Sequence, residues 1–230
     1  MSDKNKKNSV SSVSSVAKKI LIATTNSGKI AELSAMLDAD VQWVNLSDFE
    51  DIGQVEEDGA TFVENAEKKA IYYAKTTGLW TIADDSGLVI DALAGEPGVR
   101  SARFSGKKEN DRKLIDHANI AKVLKLMKNV PNEKRTARFV CSLCLASPRK
   151  ILIETQGLLE GVIAREEMGT NGFGYDPIFF VPRLNKTVAQ LTSEEKNAIS
   201  HRGNAIRKLK PLLDKLLADR AGLDESAIDG

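Results

Sequence analysis

The stretch Lys19-Ile20-Leu21-Ile22-Ala23-Thr24-Thr25-Asn26-Ser27-Gly28-Lys29-Ile30 decides the fold class. Lys19 to Thr24 is a short apolar run of the kind that forms a buried strand. It stops at Thr25-Asn26-Ser27-Gly28, a cluster of turn formers. From Lys29 onward the apolar positions fall at Ile30, Leu33, Met36 and Leu37, the spacing of an amphipathic helix. The chain therefore opens strand, loop, helix.

The same alternation continues outward. Thr61-x-x-Glu64 is a capping box, and Phe62, Ala66, Ala70, Tyr73 and Ala74 line one face of the helix it starts. Leu79 to Ala83 reads as a strand that ends in Asp84-Asp85-Ser86-Gly87, with Leu88 to Ile90 returning. Leu114 to Met127 reads as a helix, and Ala137 to Leu145 with Ile151 to Gln156 as a hairpin. A Gly-rich stretch from Gly169 to Pro177 follows. A basic helix carrying Ile206, Leu209, Leu213 and Leu216 closes the chain, with Pro211 expected to kink it. Mixed strands and helices with some hairpins predict an α/β or α+β domain.

Composition narrows the functional classes. With 42% hydrophobic and 28% charged residues, the chain falls in the ordinary globular class. A formal charge of +1 argues against a general nucleic-acid binder and predicts no stable nucleic-acid complex. The apolar runs fall far short of the ~20 residues that a membrane span requires, so no membrane association is expected. The N-terminus is rich in Ser and Lys without a continuous apolar core, unlike a secretory signal. Residues 1–18 are predicted to be a disordered tail, with a targeting peptide as the alternative; 19–217 form one domain and 218–230 a C-terminal extension. Cys141 and Cys144 form a C-x-x-C, but strand alternation puts Cys141 with Phe139, Leu143 and Leu145 and turns Cys144 to the opposite face. Both thiols are read as packing residues in a reducing, cytoplasmic compartment.

Five features carry possible chemistry. Thr24-Thr25-Asn26-Ser27-Gly28-Lys29 lies at a strand-to-helix junction, where free N–H groups and a positive helix end favour phosphate. It is not a Walker A loop, since Ala23 stands at the first Gly position and Ile30 at the Ser/Thr. Asn45 to Glu67 holds eight acidic residues and no Lys or Arg, and Glu56-Glu57-Asp58 directly precedes a helix. These carboxylates either complement the helix dipole or offer hard oxygen ligands to Mg²⁺. Asp84-Asp85 reads either as an Asp-rich turn or as a strand-end site, where one carboxylate meets metal or water and the other is structural. Phe173, Gly174, Tyr175 and Asp176 sit in Gly172-Phe173-Gly174-Tyr175-Asp176-Pro177, where a ring can lie over a flat ligand. Lys196 and Ser200-His201-Arg202-Gly203 can supply cations to phosphates or donors to a base carbonyl.

Together these meet the needs of a nucleoside triphosphate site, and at that point the chain resembles the inosine triphosphate pyrophosphatase family. The matching blocks are T-T-N-S-G-K-I-A-E-L, E-E-D-G-A-T-F-V-E-N-A, A-D-D-S-G-L, P-G-V-R-S-A-R-F-S-G, G-T-N-G-F-G-Y-D-P-I-F-F and E-E-K-N-A-I-S-H-R-G. They are collinear from residue 20 to about 210. The resemblance implies a two-lobed α/β fold around a long mixed twisted sheet, a substrate cleft between the lobes, Mg²⁺ dependence and a homodimer. It puts Thr24, Thr25, Asn26, Ser27, Gly28 and Lys29 on the triphosphate, and Glu56, with Glu57 as a further candidate, on the metal. Asp85 becomes a metal ligand and proton acceptor with Ser86 beside it. Phe173, Gly174, Tyr175 and Asp176 would hold the base, and Lys196, His201 and Arg202 would complete the nucleotide site.

The expected reaction is attack of water on the α-phosphoryl group of ITP, dITP or XTP, giving the monophosphate and pyrophosphate. Donors from His201, Arg202 or backbone N–H groups would pair with the C6 carbonyl of these bases and meet an amino donor in ATP. How the 2-amino group of GTP is excluded is not legible in the sequence.

Overall fold

The computed structural model describes residues 18–37 and 41–226, with side chains as far as Asp219. The expected tail therefore lies, but for Lys18, outside the described residues. Seven strands form one sheet: β1 (Lys18–Ile22), β2 (Val41–Asn45), β3 (Trp80–Ile90), β4 (Thr136–Ala146), β5 (Ile151–Ile163), β6 (Phe179–Val181) and β7 (Lys186–Thr187). Their order is β2-β1-β3-β4-β5-β6-β7. β2, β1 and β3 are parallel and every later pairing is antiparallel. The helices are α1 (Ser27–Met36), α2 (Phe62–Thr77), α3 (Arg112–Leu126), α4 (Ser193–Ile199) and α5 (His201–Ser226). The expected α/β class, a mixed sheet flanked by helices, is what the structure has.

Local signals set the helix starts. Asn26 caps α1 by accepting the Lys29 N–H at 3.2 Å, and Thr61 and Glu64 close a full capping box on α2. Gly78, in the left-handed region at φ 74°, ends α2. α5 runs through Pro211 and past Leu217 to Ser226.

The sheet is buried on both faces, and apolar side chains divide accordingly. Ile20, Ile22, Ile82, Cys141, Leu143 and Leu145 pack with Leu33 of α1 and Ile206, Leu209 and Leu213 of α5. Leu21, Ala23, Ala83 and Cys144 point the other way, onto Ala66, Ala70, Tyr73 and Ala74 of α2. The two cysteines thus fall on opposite faces as their spacing predicts, both free and buried. A further core forms where Leu88, Ile90, Phe139, Leu159 and Ile163 meet Ile120, Val123 and Met127 around α3. β3, β4 and β5 are long enough to join that core to the other two.

One sequence expectation is corrected here. Asp84-Asp85-Ser86-Gly87 is no turn at a strand end: β3 is a single strand of 11 residues that carries it mid-length. Asp84 pairs with Leu143, Asp85 with Ser142, Ser86 with Cys141 and Gly87 with Val140. Such residues favour turns by themselves. The neighbouring strand β4 supplies the ladder and charged partners arrive from distant helices, which outweighs local preference. The predicted hairpin is likewise longer, because β5 continues to Ile163.

The first turn of α5 lies so close to β5 that only glycine fits between them. A Cβ on Gly157 would stand 2.1 Å from the His201 carbonyl oxygen and 2.4 Å from the Ala205 nitrogen. Gly157→Ala is expected to lower stability by about 1–3 kcal/mol in a urea titration, since the backbone must shift to make room. An unchanged midpoint would show that α5 is not held at this contact.

Candidate active site

A cleft of about 200 Å³ opens where β1, β3, α1, α4, α5 and the Gly-rich segment meet. Thr24, Thr25, Asn26, Lys29, Glu57, Asp85, Ser86, Phe173, Gly174, Tyr175, Asp176, Lys196, His201 and Arg202 all line it. The structure therefore brings together most of the sequence candidates. Three fall outside the wall. Ser27 is exposed at the start of α1, and Glu56 is exposed while its neighbour Glu57 faces the cleft. Gly28 lies behind the Phe173 ring: a Cβ there would be 2.6 Å from the Phe173 Cδ1, so its missing side chain admits the aromatic wall.

Strand alternation sends the two adjacent aspartates to opposite faces. Asp84 points toward α1 and α5, where it meets Lys29 Nζ at 2.8 Å and Arg202 Nη2 at 3.0 Å. Ser86 Oγ donates to it at 3.1 Å. Arg202 Nη1 reaches on to Glu32. Lys196 Nζ then sits 2.8 Å from Glu32 and 2.5 Å from Asp176, whose Oδ2 also accepts the Phe173 N–H at 2.9 Å. Lys29, Asp84, Arg202, Glu32, Lys196 and Asp176 thus alternate in sign from the β1–α1 loop to the Gly-rich segment. Burial alone would raise the Asp84 pKa, but Lys29, Arg202 and Lys69 overcome it and hold the group far below the carboxylate range. Burial pulls Lys196 down, and Asp176 and Glu32 more than offset it.

Asp85 points the other way, toward α2. Asn65 Nδ2 donates to its Oδ2 at 3.0 Å, and the Ser86 N–H donates to Oδ1 at 3.0 Å. Lys69 Nζ, from the next turn of α2, donates to the Asp84 carbonyl at 2.6 Å and to Glu57 Oε1 at 3.0 Å. Burial dominates at Asp85 and raises its pKa from 3.8 to about 6, against the pull of Lys69 and Lys29. A carboxyl at that value exchanges protons near neutrality, as a general base must.

At the far end Phe173 presents its ring with Lys196 Nζ 4.4 Å from the centroid. Tyr175 is turned inward, its hydroxyl donating to the Ser101 carbonyl at 2.8 Å. His201 is buried and stacks on Phe139 at 4.8 Å, and its Nδ1 has no hydrogen-bond partner. Burial, then Arg202 and Lys196, hold its pKa well below the usual imidazole value, so the ring is neutral. Arg202 lines the cleft while its Nε, Nη1 and Nη2 donate to Asp84, Glu32 or Ser86. Among the described residues no group of three His, Cys, Asp or Glu side chains forms a ready metal cluster.

Asn65, Lys69 and Glu32 were not among the sequence candidates. A signal for the first two was present: counted from Phe62, both fall on the helix face shared by Ala66, Ala70 and Tyr73. Polar residues on an apolar stripe mark a buried partner. Glu32 gave no such signal.

A mixed sheet whose first strand-to-helix junction opens onto a cleft lined by paired charges and one aromatic wall defines the class: an α/β protein with a charged cleft at that junction. More narrowly, the chain belongs to the Ham1 family, which matches residues 20–212. A dITP/XTP pyrophosphatase of Geobacter sulfurreducens is 50% identical over 193 residues, covering 84% of this chain and 94% of that protein. One from Desulforamulus reducens is 47% identical over 199 residues, covering 86% and 96%. The solved HAM1 protein of Coxiella burnetii superposes with a TM-score of 0.77 at 42% identity, covering 86% of this chain and 99% of that one. These findings bear out the resemblance carried by the six blocks.

The raised Asp85 pKa makes a stability prediction. Its unfolded value is near 3.8, so above pH 6 the fold carries the cost of an ionised buried carboxylate. In EDTA, Asp85→Asn is expected to be more stable than the parent at pH 8, by up to about 3 kcal/mol. The gap should close as pH falls through 6 toward 4, where the parent's Asp85 takes up a proton. Calorimetric melts at several pH values test this, and a variant no more stable at pH 8 would contradict the assigned burial cost.

Proposed function

We propose that this chain hydrolyses purine nucleoside triphosphates with an oxo group at C6 (ITP, dITP, XTP) to the monophosphate and pyrophosphate, keeping these bases out of DNA and RNA. The observation that carries the reading is Asp85, a buried carboxyl poised near pH 6 in the same cleft as the β1–α1 junction. The name dITP/XTP pyrophosphatase, borne by relatives that match over nearly their full length, supports it.

In this reading the triphosphate lies against the start of α1, whose first N–H groups have no helical carbonyl to bond. Lys29 pairs with Asp84 at 2.8 Å, and its ammonium has further N–H groups for phosphate oxygens. Asp85 takes a proton from the water that attacks the α-phosphoryl group. Its bonds from Asn65 and the Ser86 N–H fix the carboxylate's orientation.

Mg²⁺ fits the donor set. It takes one or two carboxylates together with substrate phosphates, and Asp85 and Glu57 supply hard oxygens on the cleft wall. Glu56, exposed and off the wall, has no such placement. When bound, the ion supplies neutralising charge to the phosphate oxygens.

Base selection falls to His201, Arg202 and nearby backbone groups; the four hydrogen bonds of Arg202 to Asp84, Glu32 and Ser86 leave one of its five N–H groups for the base. His201 lines the cleft, and the one N–H of its neutral ring can donate to a C6 carbonyl and oppose the amino group of adenine. A homodimer also belongs to this reading, and sedimentation of the purified chain tests it separately.

Product analysis with Mg²⁺ is the direct test. ITP and XTP are expected to release pyrophosphate and ATP little; orthophosphate would mean an ordinary phosphatase, and tight binding without turnover a nucleotide sensor. Asp85→Asn should lower kcat by about 10²–10⁴-fold while the fold persists. His201→Ala should erode the ITP-over-ATP ratio in kcat/KM by at least about 10-fold, and an unchanged ratio would remove His201 from base reading.

A further inference from the structure

The cations on the cleft wall are not equivalent. Lys29 is held by Asp84, Lys69 by Glu57 and the Asp84 carbonyl, Lys196 by Asp176 and Glu32, and Arg202 by Asp84 and Glu32. Arg112, the first residue of α3, is the exception among the described residues. Its Nε sits 3.0 Å from Asp116 Oδ1, its terminal nitrogens have no protein partner, and its side chain is 48% exposed at the cleft edge. Asp116, one turn on, accepts the Gly174 N–H at 3.0 Å through its other oxygen. The same carboxylate thus ties α3 to the segment carrying Phe173 and sets the open guanidinium beside it.

We infer that Arg112 reads the C2 edge of the purine; this rests on the proposed function and on the base lying along Phe173, as the family resemblance implies. Lys196, His201 and Arg202 come from α4 and α5, whereas Arg112 comes from α3, so the two purine edges meet different elements. The three bases with a C6 oxo group differ only at C2. Xanthine carries an oxygen there and is acidic enough to place negative charge on its N3–O2 edge, which pairs with a guanidinium through charge-assisted bonds. Hypoxanthine carries hydrogen and gains nothing. Guanine carries an amino donor, which faces the guanidinium donors unpaired and loses its hydration. Arg112 thus supplies what His201 does not: a distinction between XTP and GTP.

The test compares the parent with Arg112→Gln on ITP, XTP and GTP. Arg112 is half exposed and touches no core residue in its ion pair, so the variant should fold, and a melt verifies it. The expected result is a loss of about 10-fold or more in kcat/KM for XTP, with ITP within about 2-fold and GTP improved. The XTP loss should grow as pH rises and xanthine ionises, a dependence that a structural role would not produce. Calorimetric binding of the same nucleotides to Asp85→Asn, with and without Arg112→Gln, reads the ranking without turnover. A uniform loss, or an unchanged ranking, overturns the assignment. A parent that releases no pyrophosphate from ITP or XTP sinks the hydrolase reading instead, while the binding ranking still decides on Arg112.

Discussion

A carboxylate sealed from water in mid-strand is tolerable only if cations reach it, and Asp84 imposes that condition on this fold. Lys29 comes from α1, Arg202 from α5, and Lys69 reaches its carbonyl from α2. Three helices far apart in sequence are thereby drawn to one point of β3. Removing one partner would leave a buried charge uncompensated, which typically costs several kcal/mol. The arrangement also places a carboxylate between Lys29 and Arg202, which would otherwise repel one another. Glu32 and Asp176 repeat the device toward the Gly-rich segment, so the electrostatic ladder spans the site from its phosphate end to its aromatic end.

Asp85 owes its character to the same strand. One residue further along, it faces the opposite side, where an amide and a backbone N–H meet it instead of a direct ion pair. Identical side chains in adjacent positions therefore have opposite shifts, Asp84 far below the carboxylate range and Asp85 up to about 6. The period-two geometry of the strand separates a structural carboxylate from a reactive one. Glycine acts in the same economy of space: Gly157 lets α5 approach β5, and Gly28 lets the Phe173 ring close behind the loop.

Much of this was legible in the sequence. The opening strand–loop–helix, the cap at Thr61, the apolar stripe of α2 and the opposed faces of Cys141 and Cys144 follow from periodicity and local bonding. The candidate residues of the cleft were legible too, because six motif blocks fall in one order. The acidic strand was misread as a turn, since Asp, Ser and Gly favour turns when nothing pairs with them. The resemblance puts Glu56 ahead of Glu57, yet Glu57 is the one on the cleft wall, because which of two neighbours faces it depends on the path of the segment before α2. Lys69 and Asn65 left a trace as polar residues on an apolar face.

By itself, then, the sequence determined what depends on neighbours within a few residues: the elements, their capped ends and the faces they bury. The tertiary structure alone decided which charges meet. The bond from Arg202 to Asp84 spans 118 positions and that to Glu32 spans 170. No local period encodes such separations. It also decided that every nitrogen of Arg202 meets Asp84, Glu32 or Ser86 while the terminal nitrogens of Arg112 stay open, because an arginine's availability depends on which acceptors the fold carries to it.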